Sequence, residues 1–130
     1  MMDRLQYKIM VVDDAKLSLA IVKHLLDEEK ILVLECFYFI DSKEAKEVFL
    51  ALQPDLLITD IFMPDVDGFE MISYVKNQSN IPILAISSEK FGDGSSEPIL
   101  KMAKSRGADH TLSKSDLNNE LLPLIESIFV

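Results

Sequence analysis

The sequence has one cysteine, few basic residues and no long apolar run, and each of these shortages excludes a class of protein. Cys36 is the single cysteine, so no internal disulfide can form, which fits a reducing cytoplasm; within its apolar run we expect it in the core. No stretch approaches the ~20 apolar residues of a membrane-spanning helix, and Met1–Lys8 lacks the features of a signal peptide. We therefore expect a cytoplasmic protein without a membrane segment.

The charge balance is acidic, with 13 lysine and arginine residues against 22 acidic ones and a formal net charge of −9. Because a phosphate backbone is bound through a basic surface, we expect no direct binding to nucleic acid. The length of 130 residues fits one hydrophobic core. No linker or low-complexity segment divides the chain, so we expect residues 1–130 to form one domain.

Short apolar runs alternate with amphipathic stretches along the whole chain. The five runs, which we predict to be strands, are Lys8–Val12, Ile31–Phe39, Leu56–Thr59, Ile81–Ile86 and His110–Ser113. The stretches between them repeat apolar residues at helical spacing, as in Leu17, Ile21 and Leu25; Ala45, Val48, Phe49 and Leu52; Phe69, Ile72 and Val75; Ile99, Met102 and Ala103; and Leu117, Leu121, Leu124, Ile125 and Ile128. This alternation predicts an α/β fold with a doubly wound parallel sheet and helices on both faces.

Proline and glycine refine the predicted boundaries. Pro98 fits the first turn of the fourth helix. Pro123 is expected in the first turn of the last helix, with Asn118 or Asn119 near its N-cap. The segment Ser88–Glu97 is rich in glycine and serine, which predicts a mobile loop.

Four of the five predicted strands end at a reactive polar residue: Asp13–Asp14, Asp60, Ser87 and Lys114. Each feature alone is unremarkable, because an acidic pair commonly forms a solvated turn or a helix cap. In an open parallel sheet, however, the ligand crevice lies beyond the carboxyl ends of the strands. The four sites are therefore expected to converge on one edge, which is hard to explain without a function.

The chemistry of this set points to phosphoryl transfer. Clustered carboxylates attract a hard cation, and Mg²⁺ prefers oxygen ligands. A carboxylate is also a nucleophile that forms an acyl phosphate. Positioning and charge neutralisation supply most of the catalysis in such reactions, and a lysine and a hydroxyl suit the remaining phosphoryl oxygens.

The segment Leu56–Gly68, LLITDIFMPDVDG, resembles the phosphoacceptor segment of response regulator receiver domains, the single receivers of the chemotaxis type included. The acid pair of that family matches Asp13–Asp14, its hydroxyl residue matches Ser87 and its lysine matches Lys114. The resemblance extends from about Lys8 to Phe129, nearly the whole chain.

The resemblance implies a five-stranded, flavodoxin-like sheet in the order 2-1-3-4-5. It also implies that a sensor histidine kinase or phosphotransfer protein donates a phosphoryl group to Asp60, and that Ser87 and Lys114 contact that group. The implied Mg²⁺ ligands are Asp13, Asp14, Asp60 and the backbone carbonyl of Phe62. Such a domain is a signalling phosphoacceptor that catalyses only its own phosphorylation and dephosphorylation. A downstream protein would read the face of the fourth helix, last strand and last helix.

Two residues depart from the family pattern. Ser115 follows the lysine where a proline is usual, and Thr111 stands where many members have a switching tyrosine or phenylalanine. Thr111 is too small to act like an aromatic switch. We therefore predict that the main response to phosphorylation is an ordering of Ser88–Glu97 and of the start of the fourth helix.

Other readings use the same residues differently. A phosphatase with an aspartate nucleophile usually has a second acid two residues later, where this chain has Phe62. A flavin mononucleotide carrier would need a phosphate-binding loop after the first strand, where this chain has Asp13–Asp14. A degenerate receiver that serves only as a scaffold would not need the complete set of site residues.

Overall fold

A computed structural model describes residues 6–88 and 97–130 of the chain. Five strands alternate with five helices in these ranges: β1 (Gln6–Val12), α1 (Lys16–Asp27), β2 (Val33–Phe39), α2 (Ser42–Leu52), β3 (Leu56–Asp60), α3 (Gly68–Gln78), β4 (Ile83–Ser87), α4 (Glu97–Arg106), β5 (His110–Ser113) and α5 (Leu117–Phe129). A single 3-10 turn, Lys114–Asp116, connects β5 to α5.

The strands form one sheet in the order β2-β1-β3-β4-β5, and every neighbouring pair is parallel. The predicted α/β fold and strand order are therefore confirmed. The chain moves outward from β1 to β2 and then crosses back over β1 to β3, so the winding direction switches between β1 and β3. A crevice forms at the carboxyl ends of strands that flank such a switch. Among the described helices, none combines the length and apolarity needed to cross a membrane.

The sheet is buried on both faces, as its continuous apolar strands predict. Every residue of β3 and of β4 is buried. On one face, Met10, Leu57 and Ile83 belong to a core that includes buried residues of α2, α3 and α4. On the other face, Ile9 and Ile58 pack with buried residues of α1 and α5. The helices are thus fixed to a rigid sheet, which positions the loops at its carboxyl edge.

The apolar residues at helical spacing in α1 correspond only partly to the buried face of this helix. Leu17 is 75% exposed and Ile21 is 40% exposed, whereas the buried residues of this helix are Val22, Leu25 and Leu26. The periodicity is helical as predicted, but the buried stripe lies about one residue further along and occupies only the last two turns. In α4, Met102 is likewise exposed although Ile99 and Ala103 are buried.

The start of β2 also differs from the prediction. The strand begins at Val33, and Ile31 lies in the preceding turn, where it is 60% exposed. The side chain of Glu29 accepts hydrogen bonds from the backbone N–H groups of Ile31 and Leu32, each at 2.9 Å. These bonds hold the two residues in a turn, so the strand begins only at Val33. Cys36 is half-buried instead of belonging fully to the core, because β2 is an edge strand.

The placement of Pro123 was predicted wrongly. Helix α5 starts at Leu117 with Asp116 as its N-cap, so Pro123 is the seventh residue of the helix and not part of its first turn. A proline inside a helix removes one hydrogen bond and costs about 3 kcal/mol. Leu117, Leu121 and Ile125 are buried on one face on both sides of the proline, and this burial holds the two halves together. Pro123 itself is exposed.

The prediction for Pro98 agrees with the structure, since Pro98 is the second residue of α4. A proline there leaves no helical hydrogen bond unmade. The predicted mobile loop Ser88–Glu97 lies outside the described residues apart from its two ends, and its behaviour stays a prediction.

Candidate functional site

Asp13 is held at the switch point between β1 and β3. Its side chain is fully buried, and its backbone N–H donates to the carbonyl of Phe39 at the end of β2, at 3.0 Å. One carboxylate oxygen, Oδ1, accepts from the backbone N–H of Ala15 at 2.9 Å. Ala15 is the N-cap of α1 and provides no side-chain cap of its own. The turn closed by Asp13 therefore fixes where α1 begins.

Asp60 is the last residue of the central strand β3 and is 7% exposed. Its Oδ1 accepts from the backbone N–H of Ile61 at 2.9 Å. The hydroxyl of Thr59 donates to the backbone carbonyl of Asp60 at 2.8 Å. Both backbone and side chain of Asp60 are thereby constrained, and its second carboxylate oxygen is left facing the other site residues.

Gly68 supports Asp60 from the start of α3. A Cβ atom added at Gly68 would meet the backbone carbonyl oxygen of Asp60 at 2.2 Å and the Cα of Ile61 at 2.6 Å. No side chain fits there without displacing the backbone of the site. The sequence segment Leu56–Gly68 contained this glycine, but only the fold shows why a glycine is required.

Asp14 completes a cluster of three carboxylates with Asp13 and Asp60. One ligand atom of each lies within 4.8 Å of the others, with Asp13 and Asp60 buried and Asp14 exposed. Oδ2 of Asp13 is buried and receives no well-aligned hydrogen bond, although Lys114 lies beside it as an ion-pair partner. An all-oxygen donor set with one under-satisfied carboxylate oxygen fits a hard divalent cation.

Lys114 enters the same cleft from the turn after β5. Its Nζ lies 2.8 Å from Oδ2 of Asp13 and 3.4 Å from Oδ2 of Asp60, and it donates to Oγ of Ser18 at 3.0 Å. The Lys114 side chain is only 13% exposed. The cleft therefore contains three acids and one cation, and the lysine does not balance the negative charge.

Ser87 and Phe62 lie at the same edge. Ser87 is the fully buried last residue of β4, one position beyond Ile86, which pairs with Asp60. The Phe62 side chain is 46% exposed and contacts Phe69 edge to face with ring centroids 6.5 Å apart. The Phe62 ring thus packs on α3, and only its backbone is relevant to the predicted metal site.

The electrostatics of the cleft act most strongly on Asp60. Burial and, to a smaller extent, the neighbouring charge of Asp13 raise the pKa of Asp60 from 3.8 to about 6. The ammonium of Lys114 and the hydrogen bond from Ile61 oppose this rise in pKa but do not cancel it. A carboxylate that is this costly to ionise is stabilised by any added cation.

Ser18 is a site residue that the sequence did not reveal. It is separated from Lys114 by 96 positions and contacts it only through the fold. His24 is exposed and pairs with Glu28 at 3.6 Å on the same helix. On α4, the basic residues Lys101, Lys104 and Arg106 are all exposed.

A doubly wound parallel sheet with a cleft at its switch point places the chain among the flavodoxin-like α/β domains, and comparison with known proteins identifies the family within that class. The family model "Response regulator receiver domain" matches residues 9–126. The chain therefore belongs to the response regulator receiver family, as its sequence motifs indicated.

Individual relatives agree with this assignment. The sensory transduction protein BceR of Halalkalibacterium halodurans is 29% identical over 122 residues, which cover 94% of this chain and 49% of that protein. The Vibrio cholerae chemotaxis protein CheY4 is 28% identical with a TM-score of 0.74, covering 95% of this chain and 98% of that one. The Francisella response regulator 1452 receiver domain shares the fold, with a TM-score of 0.79 at 23% identity, covering 95% and 96% of the two chains. The match covers about half the length of BceR and a smaller share, 38%, of the response regulator GraR of Staphylococcus epidermidis.

Proposed function

We propose that the protein accepts a phosphoryl group on Asp60 from a sensor histidine kinase or a phosphotransfer protein, in a Mg²⁺-dependent reaction. The observation that carries this proposal is the position of Asp60. It is a buried carboxylate at the end of the central strand, within 4.8 Å of two further carboxylates and 3.4 Å from Lys114 Nζ. Membership of the receiver family supports the same reaction.

The residues that would hold Mg²⁺ are Asp13, Asp14, Asp60 and the backbone carbonyl of Phe62. When bound, the cation supplies positive charge that offsets the repulsion between the carboxylates and the phosphoryl oxygens. The donor set supports this assignment, because two of the three acids are buried and one lysine alone does not neutralise them.

The chain's own residues perform the transfer. A carboxylate oxygen of Asp60 attacks phosphorus, the bond from phosphorus to the donor's leaving atom breaks, and an acyl phosphate forms on Asp60. Lys114 pairs with one phosphoryl oxygen and the Ser87 hydroxyl donates to another. The raised pKa of Asp60 means that ionisation of the nucleophile depends on the cations around it.

The phosphoryl group would then alter a protein-interaction surface. We assign the output to the face formed by α4, β5 and α5, and to ordering of Ser88–Glu97, because Ser87 joins the site directly to that segment. In this proposal residues 1–130 act as one receiver domain in the cytoplasm, and the partners are proteins, with no direct contact to nucleic acid or membrane.

Intact-mass measurement with acetyl phosphate as a small donor tests the proposal. Wild-type protein with Mg²⁺ should gain one phosphoryl group, and chelation of the metal should abolish the gain. Asp60→Asn should gain none, because its amide is not a nucleophile for this reaction. Asp65→Asn, a change of the exposed acid in the adjacent loop, is the matched control and should be labelled normally. Stoichiometric labelling of Asp60→Asn would refute the acceptor.

A further inference from the structure

We propose that Ser18 is a positioning residue that holds the Lys114 ammonium in the cleft while Asp13 binds the metal and Asp60 carries the phosphoryl group. This inference rests on the proposed function of Lys114. It concerns a contact between the first turn of α1 and the turn after β5, two parts of the chain 96 positions apart.

The surroundings of the Lys114 ammonium motivate the proposal. An ammonium group has three N–H donors and no acceptor. Nζ is surrounded by three oxygen atoms: Oδ2 of Asp13 at 2.8 Å, Oγ of Ser18 at 3.0 Å and Oδ2 of Asp60 at 3.4 Å. Ser18 Oγ accepts a hydrogen bond from Nζ, whereas the two carboxylate oxygens neighbour Nζ as ion-pair partners.

In the proposed reaction, Mg²⁺ binding and phosphorylation change two of these three partners and leave the third unchanged. Asp60 becomes an acyl phosphate, and Asp13 is a proposed metal ligand. Ser18 is neither the phosphoacceptor nor a proposed metal ligand, so its hydrogen bond to Lys114 can persist throughout. Its hydroxyl is also neutral, and it therefore holds the lysine without competing electrostatically for the charge that the phosphoryl oxygen needs.

The fold gives Ser18 a fixed position relative to the cluster. It is the third residue of α1, and the Asp13–Ala15 hydrogen bond sets the start of that helix. The same helix is anchored to the sheet by its buried residues Val22, Leu25 and Leu26. Lysine, in contrast, has a flexible four-carbon stem. A rigid acceptor facing a flexible cation is an arrangement suited to positioning.

A double-mutant cycle separates positioning from a merely structural role. Ser18→Ala should slow Mg²⁺-dependent labelling by acetyl phosphate about fivefold, the size expected for the loss of one typical hydrogen bond. Ser18→Thr keeps a hydroxyl and should restore most of the rate. In a Lys114→Met background the same Ser18→Ala change should have no effect, because the residue it positions is gone. Equal slowing in both backgrounds would overturn the proposal, and so would unchanged or faster labelling of Ser18→Ala alone.

A second measurement needs no phosphoryl transfer. Lysine-selective ¹⁵N NMR follows hydrogen exchange of the Lys114 ammonium, which is slow when its donors are bonded. Exchange should be faster in Ser18→Ala and unchanged in Ser115→Ala, whose hydroxyl faces Ser113 at 3.0 Å. Equal exchange in wild type and Ser18→Ala would contradict the proposal. If instead Asp60→Asn were labelled, the proposed acceptor would fail while the NMR result on Ser18 could still stand, so the two failures are distinguishable.

Discussion

The acidic residues at the two edges of the sheet differ in how their carboxylates are paired. At the amino edge, Asp55 accepts a hydrogen bond from the backbone N–H of Lys8 at 2.8 Å. Asp109 accepts one from Ile83 at 2.9 Å and pairs with the Lys76 ammonium at 3.3 Å. At the carboxyl edge, the buried acids Asp13 and Asp60 share Lys114, and the exposed Asp14 belongs to the same carboxylate cluster. The acids at the amino edge bind backbone N–H groups of neighbouring strands, whereas the acids at the carboxyl edge repel one another.

This difference distinguishes the acids that support the fold from the acids of the proposed site. Asp109 is partly exposed, with 39% of its side chain accessible, and each of its oxygens has a partner. Asp13 is fully buried, and its Oδ2 has no well-aligned hydrogen bond. A fold gains stability from the first arrangement and loses it in the second. The cost is tolerated where a ligand or a reaction needs the unbalanced charge.

Charge removal should therefore have opposite effects at the two edges. In metal-free protein at neutral pH, Asp60→Asn should raise the free energy of unfolding by at most roughly 3 kcal/mol, the equivalent of its pKa rise from 3.8 to about 6. Asp109→Ala should lower it by about 1–3 kcal/mol, because the Ile83 N–H loses its acceptor. Urea denaturation measures both, and a loss of stability in Asp60→Asn would break the comparison.

The two edge lysines should differ in their effect on metal binding. Lys114→Met removes a cation that occupies the acids, so Mg²⁺ should bind about tenfold more tightly, equivalent to ~1.4 kcal/mol. Lys76→Met, the matched change at the amino edge, should leave Mg²⁺ affinity unchanged. Isothermal titration calorimetry gives both dissociation constants. Weaker Mg²⁺ binding by Lys114→Met would show that Lys114 supports the metal site instead of competing for it.

The pH dependence of stability provides a smaller effect. The pKa of Asp60 is higher in the folded protein than in the unfolded chain, so the folded state binds more protons between pH ~4 and ~6. In metal-free protein, the Asp60 contribution should destabilise the fold as the pH rises through that window, by roughly 1 kcal/mol between pH 5 and 7. The difference in melting temperature between wild type and Asp60→Asn, followed against pH, isolates this contribution. A difference independent of pH would contradict the raised pKa.

The convergence of the site could be predicted from the sequence because it depends on topology. Continuous apolar runs implied parallel strands buried on both faces, and the carboxyl ends of parallel strands share one edge. Asp13, Asp60, Ser87 and Lys114 each stand at or just after a strand end. Their positions therefore followed once the strands were assigned, without any knowledge of side-chain contacts.

The features that were missed depend on three-dimensional packing. Helical periodicity could not show which of the apolar residues of α1 are buried, and Leu17, one of the residues at helical spacing, is exposed. Local proline preference could not show that burial on both sides of Pro123 holds α5 together. The Ser18–Lys114 contact and the close approach of Gly68 to Asp60 join separate elements or turns, and no local pattern contains them.

The central claim is that the buried acid at the end of β3 carries the phosphoryl group, and chemical trapping tests it most directly. Protein labelled with acetyl phosphate and Mg²⁺ is treated with borohydride, which reduces an acyl phosphate to an alcohol and so marks the modified residue permanently. Peptide mass spectrometry should then find Asp60 converted to homoserine, with Asp13, Asp14 and the amino-edge Asp55 and Asp109 unchanged. A mark on any of those four residues, or labelled protein without a mark at Asp60, would contradict the account.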